Sequence, residues 1–144
     1  MSFALHPRLA ADCHPLGALT VCDLLLMNDA RFPWCVLVPR VADARELHAL
    51  PHDVAHSVFD EITQVTAALE RACKPLKMNV AALGNQVSQL HIHIIARNSA
   101  DAAWPAPVWG VGQAVPYTDA QLGSLRAALQ RELATALQSA AAPR

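Results

Sequence analysis

The stretch SQLHIHIIAR, Ser88 to Arg97, sets His91 and His93 one residue apart in a run that is otherwise nearly all apolar, with Gln89 two places earlier. Side chains alternate faces along a β-strand, so a strand here puts Leu90, Ile92 and Ile94 on one face and Gln89, His91 and His93 on the other. The first face is a core contact. The second is a row of three hydrogen-bonding groups, successive ones about 7 Å apart. Such a row suits phosphate chemistry. One imidazole can attack phosphorus while its neighbour donates a proton or a hydrogen bond, since histidine ionises near neutrality. An HxH pair alone is more often a solvated strand face. It can also give two nitrogens to zinc, but no Cys, Asp or Glu stands nearby at ligand spacing, so metal is the weaker reading.

Working outward, LKMNVAAL (76–83) is strand-like, and Gly84-Asn85 reads as a turn or bulge leading into QLHIHIIAR (89–97). Before them, residues 51–74 change to helical period. Val54, Val58, Ile62, Val65, Leu69 and Ala72 form one apolar stripe, with Asp53, Asp60 and Glu61 toward its start, Arg71 and Lys74 at its end, and Pro75 as its stop. Farther upstream, VCDLLLM (21–27) and WCVLVPR (34–40) flank NDARFP (28–33) and predict a hairpin. HPRLAADCH (6–14) predicts a short helix ended by Pro15 and Gly17. Downstream, residues 98–117 hold three prolines, two glycines and two tryptophans with neither period, an ordered loop. Asp119 is then the expected cap of a last helix, about 120–139, with Leu122, Leu125, Leu129, Leu133 and Leu137, followed by a fraying AAAPR tail. The pattern is one α+β domain spanning residues 1–144: hairpin, helix, hairpin, helix.

Size and composition agree with this. A chain of 144 residues is one domain of common size. Its 53 % hydrophobic content, mean hydropathy of +0.23 and only 16 % charged residues point to a buried subunit interface. A net charge of −1 gives no electrostatic reason to expect nucleic acid or an acidic membrane as partner. MSFALHPRLA lacks a basic n-region followed by a long apolar stretch, and the apolar runs fall far short of the roughly 20 residues that cross a bilayer. Cys13, Cys22, Cys35 and Cys73 form no CxxC pair, which fits a reduced, cytoplasmic protein.

GNQVSQLHIHIIAR resembles the signature of the histidine triad (HIT) family, whose strand alternates histidines with apolar residues after a small turn with Gly and a polar amide. DLLLMNDARFPWCVLVPR is similar to that family's first hairpin, and ELHALPHDVAHSVFDEI to the helix that follows. Roughly residues 15–110 follow the family's order of elements. The resemblance implies an antiparallel sheet of about five strands with one central and one C-terminal helix, assembled as a homodimer. It also implies a nucleotide hydrolase or nucleotidyl transferase, acting on dinucleoside polyphosphates or nucleoside phosphoramidates without a cofactor. By this match His91 is the nucleophile toward the α-phosphate, forming a covalent nucleotidyl-histidine, with a backbone carbonyl fixing its tautomer. His93 binds phosphate and assists the leaving group. Asn79 and Asn85 hold phosphate oxygens, with Gln86 or Ser88 assisting, and Asn28 matches the ribose-contacting region. Gln89 stands where most of the family has the first histidine. Glutamine can hydrogen-bond phosphate but cannot relay a proton, so a nucleotide-binding module with little or no turnover is the alternative.

Other residues invite weaker readings. His48, His52 and His56 recur every four residues, yet Pro51 interrupts the first interval and no HExxH accompanies them, which favours a solvated helix face over metal. Trp104 and Trp109 suit an interface, the core or the substrate pocket, with a tilt to the pocket from the family's arrangement. Phe32 and Trp34 read as structural, and Arg97 as a solvated strand end or a phosphate contact.

Overall fold

The computed structural model describes residues 2–137. A short helix α1 (Pro7–Asp12) precedes strands β1 (Cys13–Ala18), β2 (Cys22–Met27) and β3 (Trp34–Pro39). A 3-10 turn (Leu47–Ala49) leads into α2 (His52–Cys73), then β4 (Lys77–Ala81), β5 (Ile92–Arg97) and α3 (Asp119–Glu132). The five strands form one antiparallel sheet in the order β1-β2-β3-β5-β4. No helix among the described residues is long and apolar enough to cross a membrane.

Both faces of the sheet are covered. On one, Leu24, Leu26, Cys35, Leu37, Ile92, Ile94 and Ala96 meet the α2 stripe (Val58, Ile62, Val65, Ala68, Leu69), while Leu129 and Leu133 close the edge. On the other, Leu25, Trp34, Val36, Val38 and Ile95 lie beneath Leu9, Val87 and Val108. The alternation expected of Leu90, Ile92 and Ile94 is present. The face carrying His91 and His93 differs from the open row expected, because α1 and the 98–112 loop roof it and leave the two histidines 6 % and 4 % exposed.

Four element boundaries differ from the sequence expectation. Cys13–Ala18 is a strand, although Pro15 and Gly17 argue for a break. It is an edge strand with a register shift between those two residues, where a missing donor and a glycine are tolerated. The triad strand enters the ladder at Ile92 rather than Gln89, because Leu90 N–H bonds to Ala44 O at 2.9 Å instead of to a neighbouring strand. The last helix is capped by Thr118, not Asp119. Its hydroxyl accepts from Gln121 N–H while the Gln121 side chain returns to Thr118 N–H, a reciprocal box legible as Thr-x-x-Gln. That helix also ends at Glu132, short of 139. The AAAPR tail lies outside the described residues. At α2 the expectation stands nearly to the residue: Lys74 takes a left-handed conformation (φ 49°) just before Pro75.

Candidate functional site

The turn between β4 and β5 brings the chemistry together. Gly84 adopts φ +69°, open to a residue without Cβ, and lets the chain fold back into residues 84–87 beside the two histidines. His93 sits opposite Val36 of β3 and Ala81 of β4, and His91 lies just before the strand on the same side.

The ring nitrogens of the pair are fixed in opposite senses. His91 Nδ1 lies 2.7 Å from the Gln89 carbonyl oxygen. A carbonyl can only accept, so Nδ1 carries the proton and Nε2 the lone pair. His93 Nδ1 accepts from the Trp34 indole N–H at 2.9 Å, which puts the His93 proton on Nε2. The two rings stand 4.8 Å apart at 73°. One therefore offers a basic nitrogen and its neighbour an N–H donor. Burial, and then the neighbouring His91, push the His93 imidazole down from 6.5 to about 4, so it is neutral at ordinary pH.

These groups border a cleft of about 290 Å³, whose walls include Arg8, Asn85, Gln86, Trp109 and Gly110. A second cavity of about 350 Å³ adjoins it, sharing Asp12, Met27, Trp34, Trp109 and Gly110, and extends to Asn28, Asp29 and Arg31. Trp109 packs edge-on against Trp34 (5.9 Å, 89°) and His93 (5.1 Å, 76°), so it belongs to the site. Trp104 instead sits near the Arg97 guanidinium, 5.7 Å from ring centroid to charge.

The expected site residues divide. His91, His93, Asn85 and Gln86 meet at the first cleft. Asn28 borders the second, its Oδ1 accepting from Tyr117 N–H at 3.0 Å. Ser88 faces a neighbouring depression of about 250 Å³ that His91 and Asn85 also border. Asn79 does not reach the cleft. Its Oδ1 accepts from Arg97 at 2.9 Å. Gln89 leaves the row as well, both ends of its side chain engaged by Ala4 and His6.

Arg97 is neither a solvated strand end nor a phosphate contact. It is 1 % exposed, bonds Asp101 with two nitrogens (2.7 and 3.1 Å), and also reaches Asn79 and the Ala106 carbonyl. The Arg97 bond, reinforced by N–H groups of Ala103, Asn98 and Trp104 against the cost of burial, holds the Asp101 carboxyl at about 2. Asp29 is 2 % exposed. Burial alone would raise its carboxyl, but the bonds from Arg31 and from Val115 N–H outweigh it and hold the group low. The His52 and His56 rings lie 4.3 Å apart, tilted at 52°, on the exposed start of α2, with His48 apart in the 3-10 turn. No group of three or more metal-binding side chains occurs among the described residues. Trp34, Arg8 and the Asp29–Arg31 pair escape a reading of the sequence. Trp34 reaches His93 as a diagonal cross-strand neighbour, a relation that needs the β3–β5 register.

The HIT domain model matches residues 10–100. A histidine triad protein from Marinobacter aquaeolei superposes with a TM-score of 0.91 at 47 % identity, covering 94 % of this chain and 99 % of its own. One from Bradyrhizobium japonicum gives 0.90 at 42 % (92 % and 98 %), and one from Sinorhizobium meliloti 0.89 at 41 % (91 % and 97 %). Among functionally curated proteins there is no match. The chain belongs to the histidine triad family, and its five-stranded antiparallel sheet with three helices is that family's fold.

Proposed function

We propose that the protein is a nucleotide hydrolase or nucleotidyl transferase acting through a covalent nucleotidyl-His91 intermediate. The observation that carries this reading is the opposed tautomers of the two histidines. The His91 Nε2 lone pair attacks the α-phosphorus. The N–P bond forms as the bond to the leaving group breaks, and the positive charge that develops on the ring is shared with the Gln89 carbonyl through Nδ1–H. His93 Nε2–H donates to a phosphate or leaving-group oxygen without needing a charge of its own. Asn85 and Gln86 supply uncharged amides to the same phosphate, Ser88 assists from the adjoining depression, and Asn28 meets the ribose in the second cavity. Water or another acceptor then attacks phosphorus, loses its proton and frees His91. Splitting one displacement into two easier ones is the benefit of a covalent route. Asn79 acts at a distance, through Arg97. The active form is a homodimer, with the open β4 edge and its exposed Val80 and Leu83 facing a second copy.

The test compares wild type with His91→Asn on a diadenosine polyphosphate and on adenosine 5′-phosphoramidate. Nucleotide release by wild type, an acid-labile nucleotidyl-protein on quenching, and loss of both in the variant are expected. Equal release by the two proteins would remove His91 as nucleophile. A second reading, a nucleotide-binding module with little turnover, is favoured by Gln89, which brings no third imidazole to the cleft. Tight monophosphate binding, no turnover across both substrates and no gain in Gln89→His would select it.

A further inference from the structure

Gln89 spends its side chain on a segment that the chemistry above does not use. Its Oε1 accepts from the His6 backbone N–H and its Nε2 donates to the Ala4 carbonyl, both at 2.8 Å. An amide carries its donor and acceptor side by side and matches two backbone groups of one extended chain. The two nitrogens of an imidazole point apart and cannot. The N-terminal arm is tied down beyond this point too. Leu9 is 3 % exposed and packs with Phe3 and Leu5 onto the Leu25, Trp34 and Val36 cluster, while the Asp12 carbonyl accepts from Asn28 N–H at 2.9 Å.

What the arm carries into the cleft is Arg8, on the same wall as His91, His93, Asn85 and Gln86. Arg45 borders the neighbouring depression with Ser88 and not this cleft, and two further arginines near the site are committed. Arg31 gives Nε and Nη2 to Asp29 and Nη1 to the Val111 carbonyl, and Arg97 is enclosed by Asp101, Asn79 and Ala106. The Arg8 side chain is 60 % exposed, and its one bond among the described residues is a long contact of 3.4 Å from Nε to Asp12. Its two terminal amino groups make none among those residues. An exposed i,i+4 pair of that length is weakly held and gives way to a better anion.

We propose that the arm, anchored by Gln89, presents Arg8 as the group that binds phosphate beyond the α-position, so that the cleft selects nucleotides bearing at least one further phosphate. This rests on the reading of the cleft as a nucleotide site. Uncharged amides and the neutral His93 suit the α-phosphate, where charge must not trap the substrate. A second phosphate brings additional negative charge, Arg8 is the one Lys or Arg lining this cleft among the described residues, and a guanidinium meets phosphate with paired N–H groups. Gln89 thus acts as a positioning residue, its side chain holding the arm and its carbonyl holding His91.

The experiment titrates adenosine monophosphate and its α,β-methylene diphosphate, whose bridge cannot be cleaved, into wild type, Arg8→Gln, Arg8→Lys and Gln89→Ala by calorimetry. Wild type is expected to bind the diphosphate roughly tenfold more tightly than the monophosphate, an advantage that shrinks with added salt. The advantage should fall to about twofold or less in Arg8→Gln, persist in part in Arg8→Lys, and fall in Gln89→Ala while that variant still unfolds cooperatively. Monophosphate binding with the same diphosphate advantage in wild type and Arg8→Gln would overturn the role of Arg8 alone, as would no advantage in wild type. Binding of neither nucleotide would overturn the nucleotide site and the arm together.

Discussion

Trp34 fixes which nitrogen of His93 carries the proton, and its effect on the titration of that ring can be measured. Its N–H occupies the one nitrogen at which His93 would otherwise accept a proton while keeping Nε2–H. With the group at 6.5 when unfolded and about 4 when folded, the unfolded chain binds the proton first as pH falls. The stability that His93 contributes is therefore complete above about pH 6.5 and is lost progressively toward pH 4, on the order of 3 kcal/mol in all. Urea unfolding across that range should show the slope, and His93→Gln should flatten it. Trp34→Phe frees Nδ1, so an NMR titration of the His93 ring should move up toward the ordinary histidine range. An unmoved titration would mean that burial alone sets it.

At the level of elements, the loop after β5 is held as a roof by a single buried cation. Arg97 binds Asp101, Asn79 and the Ala106 carbonyl, and that loop carries Val108 and Trp109 over the histidines. Arg97→Met fills a similar volume but strands the Asp101 carboxylate, and should cost about 3 kcal/mol in denaturant unfolding. It should also weaken nucleotide binding through a looser Trp109. Glu61 plays a comparable part on the other face. Four per cent exposed on α2, its carboxylate accepts the N–H groups of Val21 and Cys22 at 2.8 and 2.9 Å. Glu61→Gln turns one acceptor into a donor facing a donor. A loss of about 2 kcal/mol is expected by thermal or urea unfolding, with the His91 cleft unaffected.

For the molecule as a whole, the sheet is roofed on both faces but open at its β4 edge, where Leu76, Val80 and Leu83 are 65, 46 and 44 % exposed. An edge of this kind invites pairing with a second copy. Sedimentation equilibrium should give twice the 15.5 kDa chain mass, and Val80→Arg should return it toward the monomer. A monomeric wild type would sink the homodimer. Ligand acts at the same scale. Nucleotide that binds only the folded protein must raise the melting temperature in proportion to its occupancy, a shift that nucleoside without phosphate should not reproduce.

Periodicity and local chemistry carried much of this molecule in the linear chain. The α2 stripe, the hairpin strands and the alternation of Leu90, Ile92 and Ile94 with His91 and His93 follow from side-chain geometry within a few residues, so they are readable without a partner. The pairing of Gly84 with the amides of Asn85 and Gln86 ahead of the histidines is equally local. Contacts between distant segments are another matter. Gln89 lies 83 residues from His6 and Trp34 lies 59 from His93, and no short-range pattern encodes either bond. The edge position that permits Pro15 and Gly17 within β1, the burial of Arg97 and the approach of Arg8 to the cleft likewise depend on strand order and loop packing. SQLHIHIIAR announces two histidines on one face. Which nitrogen of each carries the proton, and where Gln89 points, follow from what the folded chain sets beside them.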